Sequence, residues 1–131
     1  MGSFADYWEN EILDHIFNKD SYAAPVIYVG LSTADPGDDG AGLSEPSGAG
    51  YSRVQTSASD WNSAAGGTID NASLIEFPIA TGSWGTLTHF ALFDAASGGH
   101  LLTHGALTQA KTIDSGDTAR VAAGELNVIL D

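Results

Sequence analysis

The side chains with chemistry to offer are four histidines, His15, His89, His100 and His104, and a surplus of seventeen carboxylates. Imidazoles beside carboxylates are a common ligand set for zinc and other divalent cations. Three of the histidines fall in one stretch, Trp84–Leu107, which reads WGTLTHFALFDAASGGHLLTHGAL. Its alternation puts Leu87, His89, Ala91 and Phe93 on one face, with Thr88, Phe90, Leu92 and Asp94 on the other. A turn centred on Ser97 sets residue 90 opposite 104 and residue 94 opposite 100. His100 and His104 then share the face of Phe90 and Asp94, while His89 projects from the opposite face. A three-histidine site would need a bulge or register shift. His100 and His104, four apart on a strand, are too far apart for one ion unless the strand bends. No metal site is expected.

The carboxylates cluster in Thr33–Gly50, TADPGDDGAGLSEPSGAG, which carries Asp35, Asp38, Asp39 and Glu45. Asp39-Gly40 resembles a fragment of the D-x-D-x-D-G calcium template, but the spacing fails the rest. The stretch reads as a solvated acidic loop that also fits a contact arm to a partner. Nucleophilic catalysis finds no G-x-S-x-G motif, and Ser83-Trp84-Gly85 is not one. No phosphate-binding or dinucleotide fingerprint occurs among the glycines. Carboxylate pairs of the glycosidase kind arise by chance among this many acids. No cofactor and no enzymatic activity are expected. Trp8, Trp61 and Trp84 have the chemistry of sugar platforms, but aromatics more often fill cores or anchor subunit interfaces.

The elements that position these residues read as mainly β. Thr86–Asp94 and His100–Leu107 flank Ala95–Gly99 as a hairpin, and its large apolar residues on both faces predict a central hairpin covered on both sides. Pro25–Ser32 reads as a buried strand and Tyr51–Ser57 as a strand with one wet face. Gly66–Asn71 and Ser73–Ile79 read as a second hairpin turning at Asp70-Asn71, with Pro78 demoting the latter strand to an edge or to its end. Thr118–Ala123 and Glu125–Leu130 read as two strands divided at Gly124. Ser3–Phe17 is the one helix candidate, capped by Ser3, with Phe4, Tyr7, Trp8, Ile12, Leu13, Ile16 and Phe17 at helical spacing. The expected fold is a β-sandwich of about eight short antiparallel strands with one N-terminal α-helix, a single domain over residues 1–131.

A formal charge of −13 and the absence of cysteine bound the partners. So acidic a surface repels phosphates and anionic lipid, so neither nucleic acid nor membrane is expected as a partner. The acidic N-terminus lacks the pattern of a secretory signal.

The residues Gly50-Tyr51-Ser52-Arg53, Asn71-Ala72, Phe77-Pro78 and Ser83-Trp84-Gly85-Thr86-Leu87-Thr88-His89-Phe90 form a pattern with Phe93-Asp94-Ala95, Gly98-Gly99, Gly105-Ala106-Leu107 and Ser115-Gly116-Asp117-Thr118. With the N-terminal helix, this pattern resembles small tailed-bacteriophage virion structural proteins, which are tail-fibre-like or capsid cement (decoration) proteins. The resemblance spans nearly the whole chain and is weakest over Asp35–Gly48. It implies a structural component of the virion, made in the host cytoplasm. A shaft needs repeats or a coiled coil, and the sequence has neither. The expectation is therefore a cement protein on the outer capsid surface that clamps the major capsid protein and self-associates as a trimer or dimer. The alternative is a tail-tip or fibre-associated module that binds host glycans. Tyr7, Trp8, Asp35, Asp38, Asp39, Glu45, Trp61 and Trp84 are the expected partner contacts.

Overall fold

The computed structural model describes residues 2–130; Met1 and Asp131, the ends of the expected domain, lie outside the described residues. The chain runs β1 (Gly2–Phe4), α1 (Asp6–Ile16), β2 (Tyr28–Ser32), β3 (Val54–Gln55), β4 (Thr68–Asp70), β5 (Ile75–Ile79), β6 (Gly85–Phe93), β7 (Leu101–Ile113), β8 (Thr118–Val121) and β9 (Asn127–Ile129). Seven strands form a curled sheet in the order β3-β2-β6-β7-β1-β9-β4, and β5 pairs with β8 in a small second sheet. The fold is mainly β with one helix, as expected. The structure has nine strands among the described residues, and one pair, β1 with β9, is parallel.

The β6–β7 hairpin is central, as its two-faced apolar pattern predicts. Phe90, Ala91, Leu92 and Phe93 are consecutive and all buried, which requires cover on both sides. The pairing is not uniform. Register shifts fall between Leu87 and His89 and between Leu92 and Phe93, and the one next to the turn, at Leu92 and Phe93, sets Ala91 opposite His104 and His89 opposite Ala106. His89 and His104 therefore project from the same face, contrary to the uniform-register expectation. The shift at Leu92 and Phe93 adds one residue on β7 and re-aims the side chains beyond it.

The N-terminus also departs from expectation. Residues 2–4 are a strand beside β7, with Ser3 opposite His104, so Ser3 is not available to cap the helix. Ala5 takes the N-cap position without a side-chain bond. Asp6 N–H instead donates to the Asp38 carbonyl at 2.9 Å, so the acidic loop satisfies one of the helix's free amides.

The expected hairpin at Asp70-Asn71 does not form. β4 pairs with β9, and β5 with β8, so both segments change sheet at Asn71 and near Gly124. Asn71 holds that crossing. Its fully buried side chain donates to the carbonyls of Ser73 and Ala122, both at 2.9 Å, and accepts the Leu126 N–H at 2.9 Å. Pro78 sits within β5 of the two-stranded sheet, where a register shift falls between Glu76 and Ile79, in keeping with the expected edge position.

One continuous apolar cluster joins the sheets, including Val29, Leu31, Phe77, Trp84, Phe90, Leu126 and Val128. Phe90 is 1% exposed, so Phe90→Ala should lower unfolding stability by ~3–5 kcal/mol through lost transfer energy and a residual cavity. Ile79, 63% exposed, should tolerate Ala within about 0.5 kcal/mol. Urea unfolding of the two variants measures both.

Candidate functional site

The long segment between β2 and β3 is fastened at two places. The first is Glu45. Arg53 grips its carboxylate with two bonds, Nε to Oε2 at 3.0 Å and Nη2 to Oε1 at 2.6 Å. The Tyr51 hydroxyl donates to Oε2 at 2.6 Å while accepting the Leu31 N–H at 3.0 Å. Arg53 Nη1 donates to the carbonyls of Ala95 and Gly98 at 2.8 and 2.9 Å, which ties the loop to the β6–β7 turn. The guanidinium carbon also lies 3.4 Å from the Phe93 ring centroid, a stacked cation–π contact. The Arg53 and Glu45 side chains are only 7% and 18% exposed. Burial, then the bond to Glu45, raises the Tyr51 phenol well above its ordinary value. Gly30 makes room for the group: a Cβ there would come within 2.9 Å of both Glu45 Oε2 and the Phe93 ring.

The second fastening is a set of carboxylate–histidine contacts. His104 Nε2 lies 2.8 Å from Asp38 Oδ1, and its Nδ1 lies 3.6 Å from Asp35 Oδ1. The other Asp35 oxygen is 4.0 Å from His89 Nε2. Asp35 and Asp39 also accept the N–H groups of Gly37 and Ala41, closing their own turns at 3.0 and 2.9 Å. Gly42 is required beside them, because a Cβ would meet the Asp35 carbonyl at 2.1 Å. Among the described residues, no three His, Asp or Glu side chains are gathered to hold a metal ion.

At the hairpin tip, Asp94 accepts the His100 N–H at 2.7 Å and faces its Nδ1 at 2.9 Å, while Tyr7 stacks on the His100 ring with centroids 3.8 Å apart. The nearness of Asp94 to His100 agrees with a turn centred on Ser97. Burial alone would raise the Asp94 carboxyl, but the His100 hydrogen bonds and charge outweigh it and hold the carboxyl below its ordinary value.

The expected contact residues thus separate. Trp84 is core, with its indole N–H donating to the Ala49 carbonyl at 2.8 Å. Glu45 is turned inward on Arg53. Asp35, Asp38 and Asp39 remain exposed at the surface while bracing the loop. Trp8 and Trp61 come together in a groove of about 350 Å³, lined also by Phe4, Ile27, Ile69 and Leu92. Tyr7, half-buried on α1, lies instead on His100. The residues that sequence reasoning passes over are Tyr51 and Arg53. Alternation gives Tyr51–Ser57 one wet face without saying which residues lie on it, yet the chain has only four Lys and Arg in all. A cation that scarce, eight residues from an acid in a loop needing an anchor, is the available signal. Leu13, Ile16 and Phe17 belong to the apolar set at helical spacing, but they stand 53%, 62% and 71% exposed on this chain.

These features define a β-rich module whose polar side chains mostly brace its own loops. The chain belongs to the family described as Podophage GP4 fiber I protein gp80, whose model matches residues 3–129. It is thus a member of a family of phage virion structural, tail-fibre-like proteins. No curated protein matches the chain in sequence.

Glu45→Gln removes one partner of the buried pair and should cost ~3–5 kcal/mol in unfolding free energy. A second expectation concerns acid. Because the folded-state value of Asp94 is depressed, its contribution is present above the ordinary value of 3.8 and lost as pH falls through the lower folded value. Asp94→Asn should therefore flatten the loss of stability on acidification, measured by urea unfolding across that range.

Proposed function

We propose that the chain is a fibre-associated structural module of the virion that works by surface contact. The match to the fibre family over residues 3–129 carries this reading. The geometry agrees with it, since the residues able to do chemistry are engaged as braces: Glu45 on Arg53, Asp38 on His104 and Asp94 on His100. In a fibre this chain would be a terminal or connecting knob, because its sequence supplies no shaft of its own. At a tail tip, the groove that sets Trp8 and Trp61 beside Asn62 and Ser63 is the surface for a host glycan.

A capsid cement role is the second reading, favoured by the −13 charge and the knob-like architecture. It would place the chain on the outer capsid, against the major capsid protein and other copies of itself. Immunogold electron microscopy of intact particles separates the two. Label confined to the tail is the expected result; label spread evenly over the head establishes the cement role instead, and unlabelled particles free of the chain rule out both.

A further inference from the structure

We propose that the exposed side of α1 is the docking surface for another virion protein, one presenting an apolar groove edged by lysine and arginine. The proposal rests on the virion reading above. Leu13 and Ile16 on α1 and Phe17 at its C-cap are spaced i, i+3 and i+4, so they form one contiguous stripe at the C-terminal end of the helix. They are 53%, 62% and 71% exposed, and no residue of α1 is fully buried. The helix holds to its own domain through Tyr7 and Trp8 instead, the former stacked on His100 and the latter on Phe4. Isolated apolar residues on a surface need no explanation, but a stripe of three large ones on one helix marks an interaction site.

The charge around the stripe selects the occupant. Glu9 and Asp14 are exposed beside it, Asp20 lies past the helix end, and none of the three is in an ion pair among the described residues. Lys19 and His15 are the basic side chains nearby in sequence. A second copy would set the same acids against each other in molecules that each carry −13, which disfavours self-docking through this face. An anionic membrane is repelled on the same ground. A protein groove with an apolar floor and a basic rim complements both the stripe and its flanks, in the manner of an amphipathic helix seated in a groove.

The test uses purified particles from a phage lacking this chain, to which the full-length protein is added and pelleted. Wild type should bind saturably and release as salt rises. The triple variant Leu13→Ser, Ile16→Ser, Phe17→Ser should bind at least about tenfold more weakly, as expected for loss of interface anchors. Glu9→Lys with Asp14→Lys, which leaves the stripe intact, should also weaken binding and reduce its salt dependence. Thermal unfolding checks that each variant is folded, and the charge variant stands alone if the triple variant is not. Folded variants that bind like wild type overturn the proposal and leave the virion reading intact. Wild type that neither binds these particles nor occurs in normal ones overturns both. A wild-type oligomer that the triple variant dissolves, seen by sedimentation velocity, assigns the face to a second copy and overturns the proposal.

Discussion

The acidic segment can lie against the sheet because Arg53 lies beneath it. A chain with seventeen acids and four bases repels itself, and the repulsion is greatest where Asp35, Asp38, Asp39 and Glu45 crowd into one loop. Arg53 is placed where one cation does most. It takes both oxygens of Glu45, two carbonyls of the β6–β7 turn and the face of Phe93. Desolvating a guanidinium is costly, and only such complete engagement offsets it. A lysine would supply the charge without the planar fork or the stack, so the site is specific to arginine. Through this residue three separate stretches of chain, the loop, the start of β3 and the hairpin tip, hold one another in place.

Asn71 does comparable work at the other end. The crossing of β4 into β5 and of β8 into β9 leaves backbone groups that neither sheet can pair. Buried amides left unpaired would cost on the order of 1–3 kcal/mol each. The Asn71 side chain meets two carbonyls and one N–H, and its own backbone completes bonds to Gly124 and Leu126. A small second sheet can therefore cap the curled one without a long connection.

The fold was legible wherever the signal was periodic. The β6–β7 hairpin announced itself through apolar residues on both faces, α1 through its spacing, and β5 as an edge through Pro78. What was not legible depended on counting across strands. A single bulge between Leu92 and Phe93 changes which histidines share a face, and alternation within one strand carries no trace of it. β1 has three residues, too few for any period, and its pairing with β7 removed Ser3 from the helix. Alternation over Tyr51–Ser57 does not say which face is wet; the burial of Tyr51 and Arg53 depends on Glu45 arriving from elsewhere in the chain. Trp84 entered the core rather than an interface for a related reason, since Ala49 offers its indole a carbonyl inside.

Bracing the loop from within bears on how such a module binds. A flexible acidic arm would lose conformational entropy whenever it met a partner, at about 0.5–1.5 kcal/mol for each rotamer-rich side chain immobilised. Here the loop is already held, and the first amide of α1 is tied to it through the Asp38 carbonyl. The first turn of the helix and the acidic loop are thus ordered against each other before any contact is made. The charge can steer the encounter, while the apolar stripe supplies retention once water is expelled. That division suits a particle component, which must find its place among many similar surfaces and then stay there.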